Sequence, residues 1–413
     1  MKKYGKLIAL VIFTAVIFGV FYVNAKTLTS TLPQFSFHKL EGNDQAVESL
    51  VVNGDIFSSI YGESFQIDQE GTKYRRDKSF IHRSVGYYRP IEIERLQNEY
   101  RNFMRGKEED PNAFFENDDV LAYGSTPYDF WSFSFDNFTF EIAVLDKHTN
   151  KTTSFSLPIP NRKDFWYIEP YGVKFKDDTL SMVTMNSIYD ELSEEENTQV
   201  HIYTFDTKKK QLINDEVIID LTSRNSEVGY SSIDLMLNDK TDEDQLIVLH
   251  SFTSYMESSG NEIVDEYTEV VEMKEAIKYN FETGEKEEIV LPKDEDIGIP
   301  FAFVDNTLYF AKVANKNLTI IGYDSDGKKL KSNLDIPLIN KYVSTSDIIY
   351  QGLVKDSVLY FVPSSIDYDE LGSIIVVDLK SLTLSYSGQI AISNPPENGE
   401  WLDIYFNSPE LKN

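Results

Sequence analysis

The chain has 413 residues, of which 41% are hydrophobic and 13% aromatic, which excludes a disordered chain and allows one large repeat fold or two ordinary domains. It has no cysteine, which excludes disulfides, thiolate metal sites and a cysteine nucleophile. Its formal net charge of −29 at pH 7 argues against binding nucleic acid, because like charges repel.

Residues 1–25 have the charge pattern of an exported or anchored protein. Three lysines, Lys2, Lys3 and Lys6, precede an uncharged apolar run over residues 7–23. Its 17 residues are at the lower limit for a membrane span and long for a signal peptide. The basic flank predicts a start in the cytoplasm and a body outside the cell. The length favours a single-pass anchor through residues 7–23, and secretion after cleavage behind Ala25 is the alternative.

A polar stalk is predicted over residues 26–46, a β-rich body over residues 47–406 and a short tail over residues 407–413. The first predicted hairpin turns at Asn53-Gly54, a pair that favours the tight turn of a β-hairpin. The second turns at Gln69-Glu70-Gly71.

A basic insertion interrupts this pattern over residues 73–110. Between residues 73 and 107 there are ten basic and four acidic residues, a local charge of +6. Pro90 begins a predicted helix that runs to about Met104, with Leu96, Tyr100, Phe103 and Met104 on one apolar stripe.

Seven of the nine arginines of the chain lie in this insertion, near several aromatic residues. Arginine forks bind carboxylate and phosphate groups, and aromatic rings add apolar contact. The candidate partner-binding residues are Arg75, Arg76, Arg83, Arg89, Arg95, Arg101, Arg105, Tyr87 and Tyr88. They predict a partner that is an envelope protein or an anionic wall polymer. The alternative is that the arginines pair with acidic residues of the body itself.

A turn with a buried-type anchor three residues after its first residue recurs six times. The anchors are Ile56, Leu121, Leu180, Leu246, Leu308 and Leu359, separated by 51 to 66 residues. A second turn follows each first one, after an apolar residue and an acid. These pairs are Ile67-Asp68, Leu145-Asp146, Phe205-Asp206, Phe281-Glu282, Tyr323-Asp324 and Val377-Asp378.

Two hairpins per repeat make a four-stranded meander, and six regular repeats are typical of propeller blades. The predicted fold is therefore an all-β, six-bladed β-propeller of four-stranded antiparallel blades, with one short helical insertion and an N-terminal transmembrane or signal helix. A late strand over residues 401–406 could close the ring on an early blade, and a strand over residues 35–38 could close it on the sixth.

These paired hairpins over residues 47–406 resemble the degenerate propellers of bacterial extracytoplasmic proteins, the TolB-like and YVTN/PQQ-like superfamily. The resemblance implies a funnel-shaped scaffold outside the membrane that binds a ligand or a protein. Neither the Trp-Asp motif nor a quinone-binding motif of such propellers is visible here, so no functional residue is carried over.

Catalytic and metal signatures are weak. The five histidines are scattered with no His-x-x-x-His pair, and there is no G-x-S-x-G, phosphate-binding loop or dinucleotide fingerprint. We therefore predict no metal, cofactor or catalytic residue. The favoured function is a membrane-anchored binding or scaffold module at the cell envelope. The alternative is a propeller hydrolase or lyase that acts on wall glycans or small esters.

Overall fold

The computed structural model describes residues 6, 10–20, 32–57, 62–77, 89–127, 139–190, 195–221, 229–237, 245–257, 267–291, 297–325, 329–338, 352–362, 372–394 and 403–412. Within these residues the chain is almost entirely β-structure, arranged in six antiparallel sheets as the sequence predicts. The helices are few and short. Those of the basic insertion are α1 (Ile91–Glu99) and α2 (Arg101–Met104). Single 3-10 turns cover Asp44–Val47, Arg75–Asp77, Pro111–Ala113 and Arg162–Asp164.

Sheets 2 to 5 are each built from four strands that follow one another in the chain. Sheet 2 contains β5 (Phe114–Glu116), β6 (Val120–Ser125), β7 (Thr139–Asp146) and β8 (Lys151–Pro158). Sheet 3 contains β9 (Tyr167–Lys176), β10 (Thr179–Asp190), β11 (Glu195–Asp206) and β12 (Gln211–Asp220). Sheet 4 contains β13 (Gly229–Leu237), β14 (Gln245–Glu257), β15 (Tyr267–Asn280) and β16 (Lys286–Glu288). Sheet 5 contains β17 (Ile299–Val304), β18 (Thr307–Ala314), β19 (Asn317–Asp324) and β20 (Lys329–Pro337).

Sheets 1 and 6 each borrow strands from the far end of the chain. Sheet 1 contains β2 (Leu50–Phe57), β3 (Gly62–Asp68), β4 (Gly71–Tyr74), β25 (Asp403–Phe406) and β26 (Glu410–Leu411). Sheet 6 contains β1 (Gln34–Gly42), β21 (Gly352–Lys355), β22 (Val358–Phe361), β23 (Ser373–Asp378) and β24 (Thr383–Ser393). The N-terminal strand β1 pairs with β24, and the C-terminal strand β25 pairs with β2. Both predicted end strands are therefore present, each in the sheet that the sequence suggests.

Three of the predicted acidic turns are two-residue connections whose backbone is left-handed at both positions. The pairs are Asp177-Asp178, Asp305-Asn306 and Asp356-Ser357, with φ between 46° and 64°. Aspartate and asparagine tolerate this conformation better than most residues, which explains the acidic composition. The anchor after each turn is fully buried, with 0% exposure for Leu180, Leu308 and Leu359.

The second hairpins of sheets 2, 3, 4 and 6 share one turn. An Asp or Asn at its first position accepts a hydrogen bond from the N–H three residues later, and the fifth residue is left-handed. In sheet 4 this first position is Asn280 and not the predicted Glu282, because β15 ends at Asn280 and Glu282 lies inside the turn. The prediction for that repeat is wrong by two residues.

The prediction of a hairpin at Asn53-Gly54 is also wrong, because β2 runs straight through both residues. Gly54 serves close packing: a Cβ there would lie 2.6 Å from the ring of Phe65 and 2.8 Å from the carbonyl oxygen of Tyr405. The residue of β2 opposite Ile67 is Val52, so Val52 and not Ile56 occupies the anchor position of this repeat.

The chain divides into two compact units. One comprises residues 1–91, 296–324 and 329–413, and the other comprises residues 92–295 and 325–328. The first unit contains sheets 5, 6 and 1. Sheet 6 lies between the other two, because Ile374 and Val376 of β23 pack towards sheet 1 while Ile375 and Val377 pack towards sheet 5. The first and last sheets of the chain are therefore neighbours.

The second unit contains sheets 2, 3 and 4 in chain order. Sheet 3 lies in the middle: Tyr203 and Phe205 of β11 pack with sheet 2, and Val200 and Ile202 of the same strand pack with sheet 4. Alternate side chains of a strand point to opposite faces, so an apolar strand fits between two sheets.

The N-terminal apolar run is helical over residues 10–20, and its large side chains are 41% to 64% exposed. No helix within the described residues is long and apolar enough to cross a membrane. Within the predicted stalk, residues 34–42 form β1, which includes the strand predicted over residues 35–38. Two residues of the predicted tail form β26.

Candidate interaction surface

The basic insertion is held on sheet 2 by a small apolar cluster. Ile93 and Leu96 of α1 and Phe103 and Met104 of α2 pack against Leu121, Tyr123, Ala143 and Leu145. The predicted apolar stripe is thus confirmed, although the helix breaks at Tyr100, whose φ and ψ of −119° and 43° are not helical. Burial of this stripe leaves the remaining positions of the insertion for charged side chains.

Arg95 faces the body of its own unit and is neutralised there. Its guanidinium pairs with Glu92 at 2.7 Å, with Glu99 at 2.8 Å and with Glu116. Glu116 also pairs with Lys147 at 2.6 Å. Burial acts to lower the pKa of Arg95 but the bonds to Glu92 and Glu116 outweigh it and raise the pKa. Arg95 is therefore a structural cation.

The same bonds stabilise the charged form of Glu116. Burial acts to raise the pKa of Glu116, and the hydrogen bonds from Arg95 and Lys147 outweigh it and lower the pKa. The carboxylate therefore stays ionised between two cations, and it ties the insertion to the strands of sheet 2.

Arg76 is also paired within the chain, with Glu63 at 2.6 Å, and both side chains are mostly buried. Arg75 and Arg89 have interaction partners as well. Arg76 and Arg95 therefore pair with acidic residues of the body, Glu63 and Glu116, as the alternative describes, whereas Glu92 and Glu99 belong to the insertion itself. The other predicted residues Arg83, Tyr87 and Tyr88 lie outside the described residues.

Arg101 and Arg105 differ from these arginines. Both side chains are exposed, on either side of the buried residues Phe103 and Met104. Neither forms an ion pair with any described residue. They are the predicted binding arginines that remain accessible to a partner in the described part of the insertion.

Lys107 follows them but is held close to the protein. Its ammonium lies 4.1 Å from the centroid of the Phe103 ring and 5.2 Å from that of Tyr123. Burial lowers the pKa of Lys107. This lysine therefore covers apolar surface through a cation–π contact and is not an extended binding group.

Two of the described histidines, His201 and His250, are buried, whereas His148 is exposed and pairs with Asp119 at 2.8 Å. Both ring nitrogens of His201 are engaged, Nδ1 with Asp215 at 2.8 Å and Nε2 with Gln199 at 3.0 Å. His250 lies 3.3 Å from the hydroxyl of Ser231 but is only 2% exposed, so a substrate could not reach its ring. The described residues contain no group of three or more acidic or histidine side chains placed to hold a metal.

One polar and aromatic surface was missed by the sequence analysis. It lies on the face of sheet 1 opposite the core and includes Asp55, Phe57 and Tyr405. Asp55 directly follows the predicted turn at Asn53-Gly54, so the sequence analysis did not place it in a strand. Ile56 lies between Asp55 and Phe57, and this alternation of a buried-type residue with residues of other types was the signal in the sequence for a strand.

No protein-family model matches the chain, and no curated protein matches it. Among solved structures, an acylaminoacyl peptidase in complex with Z-Gly-Gly-Phe-chloromethyl ketone is 13% identical, with a TM-score of 0.33. The alignment covers 89% of this chain and 47% of the peptidase, so the chain spans about half the length of that protein.

Two further similarities are to smaller proteins. A luciferin-regenerating enzyme is 9% identical with a TM-score of 0.29, and the alignment covers 67% of this chain and 74% of the enzyme. The β-propeller domain of the trilobed protease from Pyrococcus furiosus is 11% identical with a TM-score of 0.20, covering 64% and 81% of the two chains. Similarities this low carry no inference about activity.

Proposed function

We propose that the six sheets are the blades of one β-propeller and that this propeller is a binding module at the cell envelope. The order of sheets supports a ring. Sheets 2, 3 and 4 are neighbours in one unit, and sheets 5, 6 and 1 are neighbours in the other. Sheet 6, the last sheet along the chain, packs on sheet 1, the first, as closure of a ring requires.

The N-terminal segment attaches this module to the membrane, with the body outside the cell. Support comes from the basic flank, the apolar run over residues 7–23 and the exposure of the helical residues 10–20. Apolar side chains that are not buried in protein are stable in a lipid environment.

The partner-binding surface is formed by Arg101 and Arg105, and the partner is an anionic envelope protein or wall polymer. One observation carries this proposal: these two arginines are exposed and lack ion pairs among the described residues, whereas Arg76 and Arg95 are neutralised. Exposed guanidinium groups next to a packed aromatic cluster suit phosphate or carboxylate recognition.

The test uses residues 26–413, which keep β1 and β26, and two defined polymers, poly(glycerol phosphate) and poly-glutamate. We expect the R101A/R105A variant to lose most of its affinity for at least one polymer. The affinity of the unaltered protein should fall with added salt, because exposed charge pairs are screened. A matched control variant, K151A/K163A, removes two exposed cations elsewhere in sheet 2 and its following turn.

Equal affinity of both variants for the polymers would reject the polymer as partner. Capture from solubilised envelope would then decide for an acidic protein. If R101A/R105A and K151A/K163A also capture the same proteins in the same amounts, the proposed surface is not a binding site.

A further inference from the structure

The two faces of sheet 1 differ in chemistry. One face carries Ile56, Phe65 and Phe406, which are buried in the core shared with sheet 6. Alternation along β2 and β25 places Asp55, Phe57 and Tyr405 on the opposite face. This second group, which we call the aromatic corner, is not part of any apolar core cluster.

Phe57 and Tyr405 form an exposed aromatic pair. Phe57 is 47% exposed and Tyr405 is 43% exposed, and their ring centroids are 6.0 Å apart at an interplanar angle of 64°. A Cβ on Gly62 would lie only 3.0 Å from the Phe57 ring, so this ring rests on bare backbone. Both residues belong to paired strands, which fixes the positions of the rings before any ligand arrives.

Asp55 supplies a negative charge beside the rings. It lies directly opposite Tyr405 on one side and opposite Ser64 on the other. The Ser64 hydroxyl donates to the carboxylate at 2.6 Å, and the Asn407 amide lies 3.5 Å from it. Both groups are neutral, and no described cation pairs with Asp55. The carboxylate is therefore oriented but its charge is not compensated by a described side chain.

We propose that the aromatic corner binds an arginine or lysine side chain of a basic peptide segment in a partner protein. Charge complementarity identifies the ligand: a cation is attracted both to the faces of aromatic rings and to a carboxylate. The net charge of −29 for the chain adds a long-range attraction for a basic segment. Arg101 and Arg105 belong to the other unit and are proposed to bind the opposite charge.

The test measures binding of acetyl-triarginine amide to the full chain in detergent by titration calorimetry. Acetyl-tricitrulline amide is the matched neutral ligand, since citrulline has nearly the shape of arginine without its charge. We expect triarginine to bind at least about fivefold more tightly than tricitrulline, in line with the strength of cation–π and carboxylate contacts. The D55N and Y405L variants should each lose about fivefold or more in triarginine affinity.

Controls separate the corner from the general acidity of the chain. The D119N variant removes an exposed carboxylate in the first turn of sheet 2, and W166L removes an exposed aromatic residue of the other unit. Both should bind triarginine as the unaltered chain does. R101A/R105A should also bind it normally, because those two arginines belong to the proposed site for an anionic partner. Circular dichroism confirms that each variant is folded.

The proposal is overturned if D55N and Y405L bind triarginine as tightly as D119N and W166L do. It is also overturned if tricitrulline binds equally well, because the site would then recognise shape or neutral polar groups. A preference for an uncharged oligosaccharide over triarginine would have the same meaning.

Discussion

Sheet 3 has four strands and sheet 1 has five, and the two sheets are assembled in different ways. Sheet 3 uses four consecutive strands, joined at its first turn by Asp177-Asp178, and both of its faces are buried. Sheet 1 has no hairpin before β2, because its first strand, β25, comes from the C-terminus. The face of sheet 1 opposite the core is exposed at Phe57 and Tyr405, whereas Val51 and Asn53 on the same side of β2 are buried. Sheet 3 is joined by local turns, whereas sheet 1 depends on contacts between the two ends of the chain.

The C-terminal segment holds sheet 1 together through several independent contacts. Ile404 and Phe406 are buried in its core. Glu410 accepts hydrogen bonds from the side chain of Asn53 and, at 2.6 Å, from the N–H of Ile91. Lys412 pairs with the buried Asp68 at 2.7 Å. These contacts replace the covalent hairpin that the other sheets have.

Removal of residues 403–413 should therefore have the largest effect. It deletes two buried side chains and the pairing of β2, and we expect a loss on the order of 5 kcal/mol in the free energy of unfolding. Hydrogen exchange should show loss of protection first in β2 and β3, with β10 and β11 of sheet 3 affected less. Equal loss in both sheets would remove the distinction between them.

One glycine in each sheet, Gly54 in sheet 1 and Gly172 in sheet 3, allows the two sheets to be compared by substitution. A Cβ on Gly54 meets a backbone oxygen and an aromatic ring, whereas a Cβ on Gly172 of sheet 3 meets the end of the Leu237 side chain at 2.3 Å. A side-chain end can move more easily than backbone. We expect Gly54→Ala to cost about 1–3 kcal/mol and Gly172→Ala to cost less, as measured by urea unfolding. If Gly172→Ala cost more than Gly54→Ala, β25 would not be held rigidly against β2.

Acid should weaken sheet 1 through Asp68. Burial acts to raise the pKa of Asp68, but hydrogen bonds from Lys412 and Lys73 outweigh it and lower the pKa. A carboxylate with a lowered folded pKa stabilises the protein above its unfolded pKa of about 3.9. That contribution is lost as the pH falls through the folded pKa.

The Asp68→Asn variant should therefore have a lower Tm than the natural chain at pH 7, and the gap should narrow below about pH 4. The exposed residue Asp305 provides the control, since Asp305→Asn keeps a residue that tolerates its left-handed turn. A gap that stays constant as the pH falls would contradict the assignment of Asp68 as a charged anchor for the C-terminus.

The smallest effect concerns turn chemistry. Replacing Asp177-Asp178 by Asn-Gly should stabilise the protein by about 0.5 kcal/mol, since both positions are left-handed and Asn-Gly prefers this turn. The Asn-Gly pair already present in sheet 1 lies within a strand, so Gly54→Asn should instead destabilise the chain. Thermal unfolding of both variants checks the contrast.

Much of the fold was predictable because turns and anchors are local. The turn at Asp305-Asn306 and the anchor position of Leu308 could be predicted from neighbouring residues, and the structure has a left-handed turn and a buried Leu308 there. The strand through Asn53-Gly54 was not predictable, because the residues that require it, Phe65 and Tyr405, include one about 350 residues away. Short-range propensity favours a turn there, and tertiary packing overrides it.

The candidate site shows the same limit. The excess of arginine in the insertion is visible in composition, but composition does not separate Arg95, which three carboxylates surround, from the exposed Arg101. Glu116 of β5, which makes that difference, lies 21 residues from Arg95. The aromatic corner was also hidden, since Phe57 and Tyr405 meet only when β25 joins β2.

The pairing of the C-terminal strand β25 with β2 is tested most directly by introducing two cysteines, because the chain has none of its own. Asp55 and Tyr405 are opposite each other in β2 and β25. In the D55C/Y405C variant, a short thiol-reactive cross-linker should join the two cysteines in most folded molecules and in few molecules in denaturant. Peptide mapping would identify the link. Folded molecules that react at both cysteines without becoming linked would contradict the placement of the C-terminal strand in sheet 1.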